Sequence, residues 1–302
     1  MEREINRLIE LSKTATLKEL IDVIEVLTTK HTYNTTLLGN FDDKPLYRAR
    51  KHNNLYGNAD TKGKVKDFMY ESELWNVPAQ YAPLGRCNDK NESMLYCTNT
   101  LNTAILECKP EAGDYITTAI LVPYRRNKIL SVVREPLLLQ LVGQKYLSQI
   151  DGIRDIIKHV PPDKDERHLI FDNFLDHLFH MEVGPNDEHL YKLSLAITRV
   201  KMLPFKIKEK NYIPDGIIYS SIVRNKRDYN VLLRPDTAKQ LYYIERFKTV
   251  KILVSNDEHV LLKNIRDGWP VRLETKPYKT PSVIFWSGQF KNQPIYRLRK
   301  HQ

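Results

Sequence analysis

The chain has 302 residues and a mass of 35.5 kDa, enough for one large domain or two ordinary ones. Its 47 Lys and Arg against 37 Asp and Glu leave a net charge of +10 and an isoelectric point near 9.3, which suits a polyanion or a phosphorylated small molecule better than a cationic partner. A composition 41% hydrophobic and 28% charged excludes a disordered chain, and 11 glycines with no GxGxxG or Walker-type loop argue against nucleotide binding through a glycine-rich phosphate cradle.

The start, Met1-Glu2-Arg3-Glu4-Ile5-Asn6-Arg7, lacks the apolar stretch of a signal peptide, and the apolar runs stop well short of the ~18 residues of a membrane span. A cytoplasmic protein without membrane contact is expected. Ile5, Leu8 and Ile9 open an amphipathic helix, and Leu17, Leu20, Ile21, Ile24 and Leu27 keep helical spacing in a second, with Thr16 and Glu19 as its capping box. Residues 33–43 are polar and turn-rich, read as loop, and a boundary near residue 42 sets residues 1–42 apart as a helical extension of a main domain spanning 43–302. A short strand follows at 46–50, then a loop to 64.

Residues 94–98 read as a strand. Leu101, Ala104, Ile105 and Cys108 at i, i+3, i+4, i+7 give a two-turn helix stopped by Pro110. Strands are expected at 115–122 and 128–133, then helices at 136–148, along Phe171, Phe174, Leu175, Leu178 and Phe179, and along Leu190, Leu193, Ile197 and Val200. Lys206, Lys208 and Lys210 read as a solvated face. Strands return at 216–221, 229–233, 242–254, 271–275 and 282–286. The pattern is α+β, strands interrupted by a helical insertion at about 136–202.

Among groups that could carry chemistry, Arg48 and Arg50 share one strand face, with Tyr47 and Ala49 on the other; two guanidiniums there suit a pyrophosphate or simply a solvated edge. Glu107 lies in the last turn of its helix, where the macrodipole disfavours a carboxylate by roughly 0.3–1 kcal/mol; it reads either as a carboxylate with a task or as one of the glutamates that exposed helix ends often carry. Cys87, Cys97 and Cys108 form no CxxC and read as small buried hydrophobes. His159, His168, His177 and His180 lack an HExxH motif and read as packing or solvated groups, so no metal is expected. Tyr242, Tyr243, Trp269 and Trp286 read as core or interface.

Leu46-Tyr47-Arg48, Gly85-Arg86-Cys87-Asn88, Met94-Leu95-Tyr96, Ala104-Ile105-Leu106-Glu107 and Asp215-Gly216-Ile217-Ile218-Tyr219-Ser220-Ser221, with Arg234-Pro235-Asp236 further on, stand in an order that resembles the RES domain family, named for an Arg, a Glu and a Ser. The resemblance spans most of residues 45–245. It implies an ADP-ribosyltransferase-like strand core and an enzyme that destroys NAD, usually the toxin of a toxin–antitoxin pair. Residue by residue it implies Arg48, Tyr96, Glu107 and Ser221 as catalytic, with Tyr47, Arg86 and Asn88 binding substrate. Cys87 stands where the family commonly has an aromatic, and Ser220 where proline often precedes the serine.

In that reading Glu107 faces the cation developing on ribose, Arg48 and Arg86 hold the diphosphate, Tyr96 packs on nicotinamide and Ser221 orients the glutamate or the ribose. NAD is substrate rather than cofactor, and water, phosphate or a protein could accept the ADP-ribose. An antitoxin protein is the expected partner, and homo-oligomerisation is left open. Direct nucleic-acid binding is not expected, although the alternatives are an ADP-ribosyltransferase acting on a protein and a non-enzymatic nucleic-acid binder using Arg125-Arg126 and 224–227.

Overall fold

The structure, a computed structural model, describes residues 1–30, 36–39, 44–52, 68–124, 129–133, 166–181, 183–184, 186–207, 210–221, 223, 228–271, 282–287 and 295–299. It is α+β, with one mixed sheet of 11 strands and a separate two-stranded hairpin. The expected helix at 136–148, His159, Arg125-Arg126, residues 224–227 and most of the expected strand at 271–275 lie outside the described residues.

Two helices open the chain, α1 (Glu2–Thr14) and α2 (Leu17–Lys30). The joint between them is the capping box read from sequence: Glu19 accepts from the Thr16 amide at 2.7 Å, and the Thr16 hydroxyl oxygen accepts from the Glu19 amide at 3.3 Å. Strands β1 (Thr36–Gly39), β2 (Leu46–Lys51) and β3 (Leu95–Thr98), helix α3 (Leu101–Glu107), and strands β4 (Tyr115–Pro123) and β5 (Ile129–Val132) follow. Next come α4 (Glu166–His180), α5 (Glu188–Lys201), the hairpin β6 (Phe205–Ile207) and β7 (Lys210–Tyr212), β8 (Gly216–Ser220) and β9 (Tyr229–Leu233). The chain closes with α6 (Pro235–Leu241), β10 (Tyr242–Ser255), β11 (His259–Val271), β12 (Val283–Trp286) and β13 (Ile295–Arg299).

The sheet runs β1-β5-β8-β9-β3-β2-β4-β10-β11-β12, with β13 also on β11. All its ladders are antiparallel except β5 with β8. One loop reading is corrected. The stretch read as loop at 33–43 contains β1, which pairs with β5. Lys206 lies in the β6–β7 hairpin and is exposed, as a solvated face requires.

The long β11 is not among the strands expected from sequence, and it contains Asn264, Asp267, Gly268 and Pro270, residue types depleted in strands. Gly268 is needed for close approach: a Cβ there would come within 2.6 Å of the Trp286 ring.

Three clusters make the core. Ile5, Leu8, Leu20 and Ile24 from α1 and α2 pack with Phe171, Leu175 and Phe179 of α4, Leu193 and Ile197 of α5, and Ile217 and Leu232 of the sheet. Residues 1–30 therefore share a core with the later helices. On one side of the other half-sheet, Phe68, Leu74, Leu121, Ile244 and Phe247 form a second cluster. On its opposite side Ile105 and Leu106 of α3 pack on Ile116, Val250, Val260, Leu262 and Leu298. Among the described residues, no helix is long and apolar enough to cross a membrane.

Candidate active site

The sheet comes close to splitting between β2 and β3. Strand β2 pairs with β4 at six consecutive positions and β3 with β9 at four, but β2 and β3 meet only at Tyr47 and Thr98. Where that ladder stops, a side chain spans the gap: Arg48 Nη1 donates to the Tyr96 carbonyl at 3.1 Å. A cleft of about 260 Å³ opens here, lined by Tyr47, Arg48, Tyr96, Glu107, Tyr219 and Asn230 together with Ala104 and the flanking cysteines Cys97 and Cys108. A larger groove of about 440 Å³ between α1 and α2 is walled mainly by Leu8, Leu11, Val23, Val26 and Leu27. Glu4, Arg7 and Asp22 also line it, but the smaller cleft is the one that gathers the arginine, glutamate and tyrosines singled out from the sequence.

Helix α3 carries Glu107 to the cleft, and its start is pinned. The Thr100 hydroxyl accepts from the Thr103 amide, and Asp228 accepts hydrogen bonds from the hydroxyls of Thr100 and Thr103 and from Asn99 Nδ2. Asp228 precedes β9, so this carboxylate ties α3 to the β8–β9 connection, where the Ser221 amide donates to the Asp228 carbonyl at 2.8 Å. The helix ends as Lys109 takes a left-handed φ of 47°, just before Pro110.

Glu107 sits at that C-terminus, an unfavourable end for a carboxylate, and two donors compensate. Ser221 Oγ donates to Oε1 at 2.7 Å and Asn230 Nδ2 donates to the same oxygen at 3.0 Å. Oε2 is left for the cleft. Tyr219 and Asn230 are directly opposed across β8 and β9, and Ser221 follows Tyr219 by two residues. Ser220 points the other way; its buried hydroxyl makes no hydrogen bond.

Tyr96 is held by the turn before β3. Its hydroxyl donates to Asn88 Oδ1 at 2.7 Å and accepts from the Cys87 amide at 3.2 Å, while Asn88 Nδ2 donates to the carbonyls of Pro83 and Asp89. Gly85 is obligatory in this packing, since a Cβ would meet Asn88 Oδ1 at 2.4 Å. Burial pushes the phenols of Tyr96 and Tyr219 well above their ordinary range.

The structure thus brings Tyr47, Arg48, Tyr96 and Glu107 to one cleft, with Ser221 bonded to Glu107 and Asn88 bonded to Tyr96. It does not bring Arg86 there. That guanidinium donates to the Leu178 and Met181 carbonyls at 2.8 and 2.9 Å, at the C-terminal end of α4, and lies over the Tyr191 ring. Arg50 likewise donates to the Glu73 carbonyl and lies over Phe68.

Sequence reasoning missed Asn230, Tyr219 and Asp228. The alternation of β8 and β9 could have offered the first two once Ser221 was placed, whereas Asp228 gives no local signal. The three cysteines are free thiols. No protein-family model matches the chain, and no curated protein matches it.

Proposed function

We propose that the chain cleaves the nicotinamide–ribose bond of NAD, as a glycohydrolase or phosphorylase with an ADP-ribosyltransferase-like core, and acts as the toxin of a toxin–antitoxin pair. The observation that carries this reading is the Glu107 carboxylate, fixed through Oε1 by Ser221 and Asn230 and offering Oε2 to a cleft that also holds Arg48 and two tyrosines.

Departure of nicotinamide leaves positive charge on the ribose ring, and a carboxylate preset against it stabilises charge that exists only in the transition state. Because Ser221 and Asn230 already fill Oε1, the carboxylate need not reorganise as the cation forms. Oε2 accepts a ribose hydroxyl and holds C1′ against the charge. Arg48, the cationic member of the cleft, meets the diphosphate, and Tyr47 and Tyr96 offer ring faces to nicotinamide. Arg86 has no part in the cleft and fixes the end of α4 instead.

Incubating the purified chain with NAD, with and without inorganic phosphate, and following nicotinamide, free ADP-ribose and ADP-ribose phosphate by mass spectrometry tests the proposal. Release without any added protein acceptor supports it; intact NAD overturns it. Label appearing only on an added protein would make the chain a transferase instead.

A further inference from the structure

The far end of the sheet gathers positive charge in a way that no run in the sequence announces. Lys251 on β10 and Lys263 on β11 are direct cross-strand partners, an arrangement in which like charges repel. Strand β13 lies on the other side of β11, with Arg297 opposite Leu261 and Arg299 opposite His259. Val260, Leu262 and Leu298 point to the α3 core. Alternation therefore sets Lys251, Lys263, Arg297 and Arg299 together on the opposite face.

The paired stretches 251–255, 259–263 and Ile295–Arg299 contain no Asp or Glu. The turn that joins β10 to β11 carries Asp257 and Glu258 beyond the paired stretches. Lys251 lies over the Tyr115 ring at 5.5 Å, and Arg297 Nη2 meets His259 Nδ1 at 3.3 Å. Arg297 and Arg299 are exposed.

We infer that this face binds the phosphate backbone of double-stranded nucleic acid without reading its sequence. Four cations spread over three adjacent strands match a continuous polyanion rather than a single phosphate. The apolar members of the face, Val254, Leu261 and Ile295, include no aromatic anchor of the kind that organises a protein interface. The one ring in the row, Tyr115, lies under Lys251, so there is no free stacking platform for the bases of a single strand. The inference stands independently of the Glu107 cleft and revises the expectation that nucleic acid is not a direct partner.

The test is fluorescence anisotropy of the full chain with a labelled random-sequence DNA duplex at several salt concentrations. The triple variant Lys251→Gln, Lys263→Gln, Arg297→Gln should lower the slope of log affinity against log salt by about three, and affinity at 0.1 M salt by roughly a hundredfold or more. Single variants should each lower the slope by about one, so the result does not depend on the triple variant folding. The charge-keeping Lys251→Arg, Lys263→Arg variant should retain binding. An equal charge loss at the exposed Lys18, Lys90 and Lys239 should have little effect.

The inference is overturned if the wild-type chain shows no salt-dependent duplex binding. It fails equally if the control triple loses as much, or if a single strand or poly-glutamate binds more tightly than the duplex.

Discussion

Ser221 Oγ donates to Glu107 Oε1 over 2.7 Å, although 114 residues separate the two in the chain. The bond closes a loop of contacts: Asp228 pins the start of α3 and also receives the Ser221 amide at its carbonyl, so the helix bearing the carboxylate and the strand bearing its donor are registered by one residue. Glu107→Gln keeps an oxygen for both donors and removes the charge. It should lower nicotinamide release by at least two to three orders of magnitude with the melting temperature nearly unchanged. Wild-type turnover in that variant would remove Glu107 from the mechanism.

Ser221 and Asn230 hold the same oxygen, so each should matter only while the carboxylate is present. Ser221→Ala and Asn230→Ala should each reduce kcat about tenfold or more in the wild-type background and have little further effect on Glu107→Gln, a strongly non-additive cycle. Ser220→Ala, on the opposite face, should leave kcat unchanged. Additive losses would show that these side chains do not act through Glu107.

Much of the fold is legible in the sequence because its cues are local. The Thr16/Glu19 capping box, the α3 spacing and the alternation that separates Ser220 from Ser221 all hold as hydrogen bonds or burial in the structure. What was not legible depends on the third dimension. Strand β11 hides behind Gly268, whose meaning depends on Trp286 opposite it on the neighbouring strand. Asn230 is an ordinary strand residue until β9 lies beside β8. Arg48 and Arg86 look alike as basic residues in short motifs, and only the position of α4 sends one to the cleft and the other to helix carbonyls.

That separation predicts different phenotypes for the two arginines. Arg86→Ala removes two charge-assisted bonds that satisfy otherwise unpaired carbonyls near the α4 terminus, and should destabilise the fold by about 2–3 kcal/mol in urea unfolding. The KM for NAD in the folded fraction should barely move. Arg48→Ala should raise KM by an order of magnitude and lower kcat as the β2–β3 opening loses its tie. If Arg86→Ala raised KM as strongly without destabilising, the guanidinium would have to leave α4 to meet substrate.

Alkaline pH supplies the last prediction, from groups sealed in the fold. Burial pushes the thiols of Cys87 and Cys97 from 9.0 up to about 12, and the half-buried Cys108 beside the cleft moves in the same direction. Burial pulls the Lys201 ammonium from 10.5 down to about 8 against the opposing pull of Asp172. The two act in opposite directions. Between pH 8 and 10.5 the unfolded chain holds the lysine proton more tightly than the folded one, so stability rises with pH through that window.

From pH 9 to 12 the unfolded chain loses thiol protons that the folded chain keeps, so stability falls, by about 1.4 kcal/mol per pH unit for each thiol. Cys87 and Cys97 together outweigh Lys201, and Cys108 adds to them. For these groups stability should therefore peak near pH 9 and decline above it, with Tyr96 and Tyr219 steepening the fall once the unfolded phenols ionise beyond pH 10. Urea midpoints under reducing conditions at pH 8, 9, 10 and 11 measure the profile. Cys97→Ala should reduce the slope above pH 9 by about one proton whatever its effect on absolute stability, and Lys201→Met should abolish the rise between pH 8 and 9. A flat profile to pH 11, or an unchanged slope in Cys97→Ala, would mean that water reaches these thiols in the folded chain.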